Sequence, residues 1–162
     1  MTMTRRIGIL ACVACIVTTP ALAAPLAASK ASNVLTIGSG VTACLVNGRA
    51  VDIVQNADGT TAPFVIPPKQ VFVVTGIETT VLNADAAVGV SVSVQRVNGA
   101  VTNTLAFVNG TASAQGAFYG QLTLPSGAIV KPGVTLCVFT SAPTASVLSS
   151  FTLVHGFFAP NK

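Results

Sequence analysis

Between residues 88 and 95 apolar and small polar residues alternate without a break: Val88, Val90, Val92 and Val94, with Gly89, Ser91, Ser93 and Gln95 between them. A strand points successive side chains to opposite faces, so this run has one apolar and one polar face. A helix, turning once in about 3.6 residues, would scatter the valines around its axis. Turn signals recur at the spacing a β protein needs. Asn47-Gly48, Asp58-Gly59, Asn98-Gly99 and Asn109-Gly110 tolerate positive φ, and hairpins are expected there. Ile66-Pro67-Pro68-Lys69 and Val130-Lys131-Pro132-Gly133 each set a proline turn before a β-forming run, marking strand entrances because proline has no N–H for a ladder.

Strands are expected at Asn33 to Ile37, Val41 to Val46, Arg49 to Gln55, Thr61 to Val65, Val71 to Leu82, Val88 to Val97, Val101 to Phe107, Ala117 to Leu124, Val134 to Thr140 and Val147 to Phe158. A single sheet of so many short strands would leave an apolar face in water, so the expected fold is all-β, a two-layer antiparallel β-sandwich. Jelly-roll connectivity is preferred because it brings strands near the two chain ends into one sheet. An immunoglobulin-like Greek key ranks second, and the absence of Trp removes the buried tryptophan that often accompanies that fold. A chain of 162 residues, 51% hydrophobic and 7% charged, suits one folded domain and excludes the charged, weakly apolar composition of disorder.

Residues 1–23 have the layout of a secretory signal: Arg5 and Arg6, an apolar run from Ile7 to Val17, and an Ala21-Leu22-Ala23 exit, with the cut expected between Ala23 and Ala24. The apolar run is too short for a membrane span, which needs about 20 residues. Residues 24–32 then form a flexible segment ahead of a single domain at 33–162, and the product is exported, to a periplasmic, cell-surface or extracellular site. Without residues 1–23 there remain six cations (Lys30, Arg49, Lys69, Arg96, Lys131 and Lys162) against four acids. These cations stand singly, which gives no footprint for nucleic acid. No membrane span is expected in the mature chain.

Cys12 and Cys15 leave with the signal, and the remaining pair, Cys44 and Cys137, is expected to form a disulfide in an oxidising compartment.

The reactive inventory is thin. Asp52, Asp58, Glu78 and Asp85 are the only carboxylates, and Asp58 and Asp85 sit in turn sequences where a short acid caps its own backbone. Glu78 and Asp85 together are the only pair considered for glycosidase-like acid–base work. His155 is the only histidine, so a two-histidine metal centre is excluded, and neither a metal nor a cofactor is expected. By alternation His155 points with Phe151, Leu153 and Phe157, as a histidine packed among aromatics with one nitrogen hydrogen-bonded. Gly38-Ser39-Gly40 reads as a loop rather than a nucleophile elbow, and Asn109-Gly110-Thr111 as a turn rather than a glycosylation acceptor.

In each of Phe118-Tyr119 and Phe157-Phe158, one ring should face inward and one outward. The candidate ligand-binding residues are therefore Tyr119, His155 and Glu78, with no catalytic residue assigned. The expectation ranked first is a non-catalytic exported sandwich that acts through its surface, by self-association as a homo-oligomer or against an envelope or surface partner. A carbohydrate- or other ligand-binding module comes second and the Glu78/Asp85 enzyme third.

Overall fold

Nine strands and no helix account for the regular structure of residues 34–45, 47–144 and 148–161, which the computed structural model describes. The expected signal with its Ala23/Ala24 cut, the segment 24–32, and the strand ends placed at Asn33, Val46 and Val147 lie outside the described residues. The strands are β1 (Val34–Cys44), β2 (Gly48–Gln55), β3 (Thr61–Pro63), β4 (Gln70–Leu82), β5 (Gly89–Asn98), β6 (Val101–Thr111), β7 (Phe118–Val130), β8 (Thr135–Ser141) and β9 (Ser149–Pro160). All pairings are antiparallel.

The hydrogen-bonded order is β6-β5-β8-β2-β1-β9-β4-β7, with β3 on β2. Folded over at the β1–β2 hairpin, it makes a front layer, β1-β9-β4-β7, and a back layer, β2-β8-β5-β6. The chain crosses repeatedly between them and brings its first and last strands together in the front layer. This is the jelly-roll connectivity expected from the sequence. Strand β2 is the corner: it pairs with β1 from Gly48 to Gln55, but only Arg49 and Ala50 pair with β8, opposite Val138 and Cys137.

The core lies between the layers. Val90, Val92 and Val94 are buried, as their alternation requires, and meet Ile37, Phe72, Val74, Ile77, Val81, Leu136 and Val154. Burying each such side chain contributes about 1.5–3 kcal/mol. One end is filled by Phe64, Phe72 and Phe158, with Phe64 edge-on to Phe72 at 5.0 Å and stacked on Phe158 at 6.1 Å. The core also holds two hydroxyls: Thr79 and Thr152, opposite each other on β4 and β9, share a 3.0 Å hydrogen bond.

Both proline segments form the same turn. Gln70 N–H bonds to Pro67 O and Val134 N–H to Lys131 O, with positive φ at Lys69 (61°) and Gly133 (79°), the φ pattern of a type II turn with proline at its second position.

Three local expectations are corrected. Gly38-Ser39-Gly40 is no loop: it lies inside β1, where the register with β2 shifts and the Ser39 hydroxyl accepts the Thr152 N–H at 3.1 Å. The two strands expected on either side of it are therefore one bulged strand. Asn109-Gly110 is not a turn but part of β6, and Gly110 is there because a Cβ would overlap the Phe118 ring. Strand β7 runs past Leu124 to Val130, through Pro125-Ser126-Gly127. A proline is tolerated there because the segment bulges between the Gly76–Thr123 and Val74–Ala128 pairs, on a strand at one end of the hydrogen-bonded order.

Cys44 and Cys137 form the expected disulfide, with Cα atoms 5.8 Å apart. It does not join the layers through the core. It lies on the outer side of the back layer with Ala50, Val97 and Phe139, and ties the end of the β1–β2 hairpin to β8 beside the short β2–β8 pairing.

Candidate functional site

Strand β9 is flanked in the front layer by β1 and β4, and β4 in turn by β7. Alternation along β9 turns Thr152 and Val154 inward, and both are fully buried. Phe151, Leu153 and His155 therefore share the outer face. The expected alignment of His155 with Phe151 and Leu153 holds, and one ring nitrogen is hydrogen-bonded, but the face they share looks outward rather than into the core.

Strand register aligns this face in rows. Thr36, His155 and Gly76 stand opposite one another across β1, β9 and β4. The next row is Gly38, Leu153, Glu78 and Gln121, and the one after it Phe151, Thr80 and Tyr119. Gly76 presents no side chain, so the imidazole lies over it, and a Cβ there would meet His155 Cδ2 at 3.6 Å. The ring is held on both sides: Nδ1 is 3.0 Å from Thr36 Oγ1, and Nε2 is 3.4 Å from Glu78 Oε1. That second distance is long for a hydrogen bond, and Nε2, closed off from water, makes none of good geometry. With the imidazole protonated, the contact is an ion pair.

Beside this line Glu78, Thr80, Tyr119, Gln121, Phe151 and Leu153 border an open concavity of about 340 Å³. The Phe118-Tyr119 pair divides as expected: Phe118 is 7% exposed in the core, whereas Tyr119 is 72% exposed on this face. Phe151 is 43% exposed across Thr80 from it. Tyr119, Glu78 and His155 thus converge on one outer surface. Asp85 does not join them. Glu78 lies four residues, about 13 Å at the rise of a strand, before the end of β4, and Asp85 lies beyond that end with its N–H bonded to Pro143 O. The structure does not assemble the Glu78/Asp85 pair.

A hydroxyl, an imidazole and a carboxylate in line invite comparison with a nucleophilic relay. Thr36, however, lies on a strand paired on both sides, with β2 and with β9, so neighbouring amides serve the ladders rather than a developing oxyanion. The line orients side chains. No three His, Cys, Asp or Glu side chains among the described residues cluster as a metal site would require.

Sequence reasoning does not single out Thr36 and Gln121, and it places Phe151 only on the same face as His155. The signal for Thr36 and Gln121 is strand register, set by pairings far apart in the chain.

No protein-family model and no curated protein matches the sequence. Among solved structures, the chain is similar to murine APRIL, in a crystal structure at pH 5.0, with a TM-score of 0.47 and 12% identity over 76% of this chain and 99% of that one. It is also similar to the globular domain of zebrafish complement 1qA protein, with a TM-score of 0.45 and 10% identity over 77% of this chain and 95% of that one. The jelly-roll assignment rests on this chain's own strand order.

Proposed function

We propose that this protein is an exported, non-catalytic jelly-roll sandwich that works through the outer face of its front layer by packing against a second copy of itself. The observation carrying this reading is the exposure of Tyr119 and Phe151 on either side of Thr80 on a weakly charged sheet face, with Leu153 and Glu78 in the next row. Aromatic side chains at the centre of a patch supply most of the energy of an interface, and few like charges here oppose the approach of copies. Export is supported by the Cys44–Cys137 disulfide, a linkage that persists in oxidising compartments.

Size-exclusion chromatography with light scattering tests the reading. The purified protein should form an oligomer whose population rises with concentration. Changing Tyr119→Ser and Phe151→Ser together should weaken association at least about tenfold, since a buried aromatic at an interface is worth about 1–2 kcal/mol or more. A strict monomer at several hundred micromolar refutes it.

The 340 Å³ concavity favours a second reading, a saccharide stacked on Tyr119 with its hydroxyls bonded to Glu78 and Gln121. Glycan-array binding that disappears with Tyr119→Ala, in a protein that stays monomeric, would select this reading over the first.

A further inference from the structure

At the other end of the sandwich from the Asp85 loop, where the β5–β6 and β7–β8 connections meet, lies a second cavity, of about 390 Å³. Arg96 and Lys131 line it, with Asn98 and Asn103 beside them and Val101, Ile129 and Val134 forming an apolar wall. No carboxylate lines it. Arg96 follows Val94 by two residues on β5 and so takes the next inward position, past the last core valine. From there Nη1 crosses to the front layer and donates to Ile129 O at 2.9 Å. Nε is buried without a hydrogen-bond partner, and no ion pair among the described residues involves this guanidinium. Lys131 is brought to the same mouth by the first position of the Lys131-Pro132-Gly133-Val134 turn. Two cations therefore face one partly enclosed space, in a chain with only four acids to neutralise its cations.

We infer that this cavity is an oxyanion site, taking a phosphate or sulfate group borne on a molecule with an apolar part next to the anion. A guanidinium has five donors, and an isolated bracket to Ile129 O uses one of them. A tetrahedral oxyanion supplies acceptors for the terminal N–H groups that the bracket leaves over, and its charge offsets those of Arg96 and Lys131. The asparagine amides can donate to its remaining oxygens, and Val101, Ile129 and Val134 cover the apolar part. This site is independent of the front-layer face.

Titration of the full chain with phenyl phosphate, followed by amide chemical shifts, tests the inference, with inorganic phosphate as the second arm. Saturable shifts are expected at Asn98, Val101, Asn103 and Lys131, with tighter binding of phenyl phosphate than of the inorganic ion. The affinity should fall as sodium chloride is raised. Lys131→Ala, an exposed turn position that leaves the Arg96 bracket intact, should weaken binding at least about tenfold, and Arg96→Lys, which keeps the charge but not the fork, should weaken it as well. Shifts that do not saturate, or an affinity unchanged in both variants, overturn the site. Equal binding of the two phosphates overturns the assigned ligand class.

Discussion

Replacing Cys44 and Cys137 by alanine should cost this protein much of its stability. The disulfide closes a loop with a sequence separation of 93 residues, and the chain-entropy relation puts the lost constraint on the unfolded state at about 4.6 kcal/mol at 25 °C. Domains of this kind are stable by about 5–15 kcal/mol, so the loss is a large share of the whole. The fold adds a local effect, because the bridge lies beside a pairing in which only Arg49 and Ala50 of β2 reach β8. Guanidinium unfolding at 25 °C would compare oxidised protein, reduced protein and the Cys44→Ala/Cys137→Ala variant. Stability should fall by about 3–5 kcal/mol in both altered forms, and the denaturant slope should rise as the unfolded chain expands. In hydrogen exchange, Arg49 and Ala50 should lose protection before the β4–β9 amides do. A fall of less than about 1 kcal/mol in both forms would refute the reasoning, since neither the loop constraint nor the reinforced seam would then be operating.

Gly156→Ala places a Cβ against the Val73 carbonyl oxygen and the Phe72 ring, where the backbone partner cannot step aside, so a loss of about 1–3 kcal/mol and a melting point several degrees lower are expected; an unchanged melting point contradicts this. The Asp58 carboxylate accepts the Thr60 hydroxyl and, at 2.9 Å, the Thr60 N–H, and these bonds hold its pKa below the ordinary 3.8. The folded value is depressed, so its contribution to stability is complete above about pH 3.8 and is lost as pH falls through the folded value. Thr60→Val should bring the Asp58 titration, followed by carboxyl carbon shifts, back toward 3.8, and an unmoved midpoint would show that the hydroxyl is not the main cause.

The strands were legible where alternation was clean. Val90, Val92 and Val94 declared an inner face, and Phe118-Tyr119 declared one ring in and one out. Glycine was the residue most easily misread. At Gly99 it does what a hairpin loop asks, with φ of 56°, but at Gly110 it makes room for Phe118, and inside β1 Gly38 and Gly40 accompany a bulge. A strand glycine that yields space to a ring from another strand looks, in one sequence, like a turn. The face bearing Glu78, Tyr119 and His155 was readable as a set of candidates, yet their convergence came from register. His155 and Glu78 are far apart in sequence and meet because β9 lies beside β4 and Gly76 leaves the space between them empty. Alternation tells which residues share a face of β9 but not which face looks outward, and so it aligns His155 with Phe151 and Leu153 without deciding between core and surface.

Pro125 has no amide proton to offer, and the bulge around it bends the outermost strand of the front layer out of line. A neighbouring molecule that tried to extend the sheet by adding its own strand along β7 would find its bonding broken midway. Copies brought to high concentration can thus crowd together without β7 seeding fibrous growth.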